Sequence, residues 1–175
     1  MSQVSVDYYP KVLQTELKKM NPGENKLIEL SIKPELAHNI REGKFYSINS
    51  TTVLSKMKYL YIGRVATCRS GGCSINRTSE SGSSSEYFDY LIFFDALGKI
   101  LQVKVSNFQT SRGHEITTSG WLSQFKNYNG KSELRAGKNV DAIAGATITV
   151  DAITYDIADK TRLLSMILKT NRLQN

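Results

Sequence analysis

Between residues 141 and 151 the chain reads Asp-Ala-Ile-Ala-Gly-Ala-Thr-Ile-Thr-Val-Asp. Small residues followed closely by hydroxyls suit a ligand that must come near the main chain. Ala144, Gly145 and Ala146 leave room for a bulky group to approach the backbone. Thr147 and Thr149 then place two hydroxyls at the entrance to a helix. A helix N-terminus carries unpaired N–H groups and the positive end of the macrodipole, so a phosphate placed there is stabilised. A plainer reading stands beside this one: Thr147 or Thr149 caps the helix, and the small residues only turn a corner.

The elements that must position this segment are legible on both sides of it. From Val150 to Lys169, Ile153, Ile157, Leu164 and Ile167/Leu168 form one stripe, which predicts a long terminal helix. At the other end, Leu13, Leu17 and Met20 fall at i, i+4 and i+7, predicting an amphipathic helix over Val12 to Met20 that Asn21-Pro22-Gly23 stops. Lys26 to Ile32 and Tyr59 to Val65 read as strands, whereas residues 33–57 carry no clear pattern. Tyr87–Phe94 and Ile100–Ser106 flank Asp95-Ala-Leu-Gly98, the strongest hairpin signal in the chain. Trp121 to Phe125 predicts a short helix closed by Asn129-Gly130. The expected fold is α+β, a mostly antiparallel sheet packed with an N-terminal helix and a long C-terminal helix.

Composition agrees with a single globular domain over residues 1–175 and narrows the function. The 175 residues are 40% apolar and 22% charged, and no apolar run approaches the length of about 18 that a membrane helix needs. The net charge of +7 is spread along the chain without aromatics interleaved among the cations, so nucleic acid is not an expected partner. Cys73, in a Ser/Gly-rich stretch at 69–86, and Cys68 just before it lack the Cys-x-x-Cys spacing of a thioredoxin-like site. A small-loop disulfide and two thiols both fit them. A zinc site would also need His38 and His114, which lie far apart in sequence. Neither a Gly-x-Ser-x-Gly elbow nor a dinucleotide fingerprint occurs.

In order of residue types, Asp141-x-x-Ala144-Gly145-Ala146-Thr147 resembles the flavinylation signature of the FMN-binding domain family: Asp, two variable residues, Ser or Thr, Gly, Ala and Thr. The family includes the small periplasmic flavin subunits of the sodium-pumping NADH:quinone reductase and of Rnf-type complexes. The resemblance extends to Tyr90–Ile100, like the family's strand, turn and strand, and to His114-Glu115 with Gly120–Phe125, like the segment that crosses the flavin. It covers about residues 87–168, the expected FMN-binding core, and leaves 1–86 as an extension without a motif. It implies FMN as cofactor, joined through a phosphoester to Thr147 by a Mg-dependent flavin transferase that uses FAD. It further implies an electron-transfer module rather than a self-contained enzyme, serving a redox partner protein or a membrane electron-transfer complex. An exported protein on the outer face of the cytoplasmic membrane, its leader absent from this sequence, follows from the same resemblance.

Four further residues take roles from it. Trp121 either stacks on the flavin or anchors the core, and His114-Glu115 either hydrogen-bond the flavin or form a solvated pair. Asp141 either fixes the loop by accepting backbone N–H bonds or helps to hold Mg during transfer. Thr149 is expected to cap the helix. Ala144 departs from the pattern, standing where the family has Ser or Thr. That departure keeps a second function in view, a non-redox binding domain that retains the fold without the flavin.

Overall fold

The computed structural model describes residues 5–37, 40–52, 55–67 and 86–172. His38, Cys68, Cys73 and the Ser/Gly-rich stretch lie outside them, apart from Glu86 at its end. A five-stranded antiparallel sheet runs in the simple order β1 (Asn25–Glu29), β2 (Gly43–Ser50), β3 (Tyr59–Thr67), β4 (Glu86–Phe94) and β5 (Ile100–Gln109). Helix α1 (Lys11–Met20) covers one face, and the long helix α4 (Thr147–Arg172) packs on the other. The expected α+β class holds. Two expected boundaries move: the first strand ends at Glu29, and α4 begins three residues before Val150. The unpatterned stretch 33–57 supplies a single helical turn, α2 (Pro34–Ala37), and the strand β2.

Period-two burial explains the sheet. On β3 and β4, Tyr61, Val65, Phe88, Tyr90, Ile92 and Phe94 enter the core beneath α4. The intervening Leu60, Ile62, Leu91 and Phe93 join Leu13 and Leu17 of α1 in a second core. Strand β4 is thus apolar on both faces, which is why Tyr87 to Phe94 reads as an almost unbroken hydrophobic run. Buried Glu16 secures α1 further, meeting Lys104 of β5 at 3.6 Å and the Gln102 side-chain amide at 3.2 Å. Between β4 and β5 the Asp95 carboxylate accepts bonds from the N–H groups of Leu97 (2.8 Å) and Lys99 (2.9 Å), while Gly98 takes φ +75°.

Two polar clusters lock the layers. The Arg64 guanidinium on β3 grips Asp89 on β4 through two bonds of 2.6 and 2.9 Å and lies over the Tyr87 ring. Tyr90 donates its hydroxyl to Asp156 of α4, and Lys160 bonds Asp156 and Asp159 at 2.8 Å each. Burial pulls the Lys160 ammonium down, but the two carboxylates outweigh it and its pKa stands above the ordinary lysine value. Burial, reinforced by Asp156, holds the Tyr61 and Tyr90 phenols well above 10.0.

Beside this cluster Gly43 pairs with Gly63 across β2 and β3, leaving the space that the Tyr61 phenol fills. A Cβ at either glycine would lie 2.2 Å from the Tyr61 oxygen. Gly63→Ala should therefore cost about 1–3 kcal/mol of stability, read as a lower urea midpoint at an unchanged slope. The two raised phenols set an alkaline limit. Their contribution is complete below pH 10, where folded and unfolded chains are both neutral at these positions. It is lost as pH rises from there toward the folded-state pKa, because the unfolded phenols ionise first. Urea midpoints should show no loss from these phenols between pH 8 and 9 and should fall as pH passes about 10, and Tyr90→Phe should flatten that fall.

Candidate functional site

The segment 141–151 is held against the body of the protein from two sides. One side is the chain leaving β5. It turns through Thr110–Gly113 into a 3-10 turn at His114–Thr117, then into the single helical turn α3 (Ser119–Leu122) and another 3-10 turn at Ser123–Phe125. Gly113 takes φ +82°, and a Cβ there would meet the Ala146 methyl at 3.0 Å and the Thr149 side chain at 3.2 Å. Only glycine lets the loop sit this close to the start of α4. The Thr149 hydroxyl donates to the Arg112 carbonyl at 3.3 Å, and the Thr110 hydroxyl donates to the same oxygen at 2.8 Å.

The second side is α3. The Thr118 hydroxyl accepts the Trp121 N–H and caps this turn. The Trp121 indole N–H reaches the Asp141 carbonyl at 3.0 Å, and the Gln124 side-chain oxygen accepts the Asp141 N–H at 2.7 Å. Gln124 in turn donates to the Trp121 carbonyl at 2.8 Å. Trp121 is half-buried, its ring set edge-on to Phe125 at 5.3 Å. It therefore fastens the start of the segment to the α3 turn.

Between these clamps the chain makes its corner. The Ala146 N–H bonds the Ile143 carbonyl at 3.1 Å, and the Val150 N–H bonds the Ala146 carbonyl at 3.0 Å, the opening bond of α4. The N–H groups of Thr147, Ile148 and Thr149 precede that bond and have no acceptor within the helix. Gly145 takes φ +74°, a left-handed conformation that disfavours any side chain. Ala144, Gly145, Thr147 and Ile148 face solvent, while Ala146, Thr149 and Val150 are buried. Among the described residues, three N–H groups without an acceptor, a Thr147 hydroxyl without a partner and a backbone without bulk form a donor set that fits a phosphate.

Two expectations are corrected here. Thr149 does not cap α4, because the helix already begins at Thr147; its hydroxyl ties the helix to the Arg112 carbonyl instead. The turn after α3 closes at Asn127, φ +70°, ahead of Asn129-Gly130. Asp141 holds the loop by its own N–H and carbonyl, and no hydrogen bond to its carboxylate occurs among the described residues.

The structure brings Gly145, Ala146, Thr147 and Thr149 together with Gly113, and Asp141 together with Trp121. His114 follows Gly113 directly, exposed, with its ring edge-on to Phe108 at 5.4 Å. Glu115 is exposed, and its carbonyl accepts the Thr118 N–H and hydroxyl. The residues that sequence reasoning missed are Arg112 and Gly113. Their signal was faint: a glycine immediately before His114-Glu115, preceded by a cation.

Trp121→Phe keeps an aromatic ring against Phe125 but leaves the Asp141 carbonyl without its donor. It should cost about 0.5–1.5 kcal/mol in urea unfolding and speed amide hydrogen exchange at the N–H of Asp141 and Ala146.

A search of curated proteins found no match to the chain. Residues 85–159, from β4 through the first half of α4, match the family model described as the FMN-binding domain. Strands β1–β3 lie before the match yet continue the same sheet, so the matched part shares its core with what precedes it. Residues 85–159 are thus similar to the FMN-binding domain family, and the match indicates FMN as cofactor.

Proposed function

We propose that the protein is an electron-transfer flavoprotein module carrying FMN as a phosphoester on Thr147. The observation that carries this reading is the position of Thr147. It is exposed, it is the first residue of a 26-residue helix, and it stands beside N–H groups that lack intrahelical acceptors. In the attachment step the Thr147 hydroxyl oxygen forms a bond to the phosphorus of the FMN half of FAD. The pyrophosphate bridge breaks, AMP departs with the bridging oxygen, and the hydroxyl proton goes to water. Nothing is oxidised or reduced in that step, and a flavin transferase with Mg supplies the donor.

When bound, the flavin supplies the redox chemistry; the protein's part is to hold it and set its surroundings. Trp121 and Gln124 fix Asp141, the Gly113 contact fixes the helix start, and both keep the corner from closing over Thr147. His114 and Glu115, next to Gly113, are the polar side chains assigned to the flavin's ribityl chain or ring. The partner in this reading is a redox protein or a membrane electron-transfer complex, met outside the cytoplasmic membrane. No helix among the described residues is long and apolar enough to cross a membrane.

One observation favours a second reading. Ala144 is exposed at the corner and offers no hydroxyl, so one hydrogen bond, about 1 kcal/mol net, is missing beside the attachment point. A non-redox binding domain that keeps the fold without the flavin would follow from that loss.

Co-expression with a flavin transferase separates the two readings. The intact mass should rise by one FMN, the flavin bands should appear in the visible spectrum, and peptide mapping should place the adduct on Thr147. Thr147→Ala should abolish the adduct without unfolding the protein, and Ala144→Ser should leave the yield unchanged or raise it. An adduct that survives Thr147→Ala, or no adduct on the wild type, sinks the first reading.

A further inference from the structure

We infer that Arg112 is a positioning residue for the FMN phosphate at Thr147, the side chain that orients and holds that anion at the start of α4. The inference deepens the proposed function and rests on its reading of Thr147.

The backbone of Arg112 is fixed by two hydroxyls that converge on its carbonyl, Thr110 at 2.8 Å and Thr149 at 3.3 Å. Gly113, the next residue, is wedged against Ala146 and Thr149. From this anchored base the exposed guanidinium extends over Gly145, and a Cβ built on Gly145 would lie 3.4 Å from Nη1. The absence of a side chain at Gly145 therefore serves the left-handed corner and also keeps the space beside the guanidinium open.

The electrostatics of this placement are unfavourable without an anion. The first turn of α4 carries no acidic residue and presents the positive end of a long helix, where a cation is destabilising. Among the described residues no carboxylate lies within ion-pair distance of Arg112. A guanidinium held beside unpaired N–H groups, with like sign on both, is relieved by an anionic group that both can bond. A phosphoester on Thr147 supplies that group. Arginine suits the task because its planar fork can donate two bonds to phosphate oxygens.

The test is loading by a flavin transferase with FAD and Mg, followed by intact mass for wild type, Arg112→Gln, Arg112→Lys and Lys126→Gln. Arg112→Gln should lower the rate of loading about 10- to 100-fold, the loss expected for one charge-assisted bond. Arg112→Lys should recover part of that rate, because it restores the charge without the fork. Lys126→Gln, an exposed cation outside the site, should load like the wild type. The flavin-free Arg112→Gln protein should melt at the wild-type temperature or up to about 1–3 °C above it, since removing a cation from the helix start relieves repulsion. A purely structural arginine would lower both the melting point and the loading.

Equal loading of Arg112→Gln and wild type overturns the inference while leaving Thr147 intact. Equal slowing by Lys126→Gln, or a lowered melting point with no rescue by lysine, overturns it too. A wild type that never loads overturns the attachment reading and this inference with it.

Discussion

The contact of Gly113 with Ala146 and Thr149 sets the geometry on which the candidate site depends. A helix start left free in solution would fray, and its first N–H groups would point at no fixed place. Here the loop after β5 presses its glycine into the first turn of α4, and the Thr149 hydroxyl reaches back to the Arg112 carbonyl. The clamp works from the buried side of the helix. The solvent side, with Thr147 and Ile148, stays open.

Which side faces outward is decided further along α4. Asp156 lies nine residues beyond Thr147, about two and a half turns, so the two side chains leave the helix in opposite directions. Tyr90 and Lys160 hold Asp156 inward against the sheet, and Ile153 and Ile157 are fully buried beside it. With the inner face fixed by apolar burial and by this polar network, Thr147 has to point toward solvent. Core packing about 9–15 Å farther along the helix thus sets the exposure of the hydroxyl, by about 1.5 Å of rise per residue. Removing one member of such a buried network is costly because its partners lose bonds that water does not replace.

The second fastening, through Trp121 and Gln124, holds the other end of the segment. It engages the main chain of Asp141 and leaves the side chain at the surface. The corner from 141 to 146 is therefore shaped by backbone hydrogen bonds at both ends and by a left-handed glycine near the helix. Its exposed residues are left to meet a ligand. Phosphate sites in general are built in this way, from loop backbone and a helix start, with rigid framing in place of a large pocket.

Much of this was legible along the chain. The apolar runs of β3 and β4, the helical stripe of α4, the Asp95–Gly98 turn and the order Gly145-Ala146-Thr147 are local patterns, and local patterns survive in sequence. Strand β2 was not legible, because Phe45 and Ile48 are its fully buried apolar residues and their spacing of three breaks the alternation. The start of α4 was placed late because its first turn carries no apolar stripe to mark it. What only the tertiary structure decided are the long-range meetings: Arg112 with Thr149 across 37 residues, Trp121 with Asp141 across 20, and strands β1–β3 with the matched domain. Sequence by itself determined which residues repeat with the period of a strand or a helix, and which order of small residues and hydroxyls opens the last helix. It did not determine which distant backbone groups complete that opening, because such partners are chosen by how the packed layers bring loops together, and no periodicity records that.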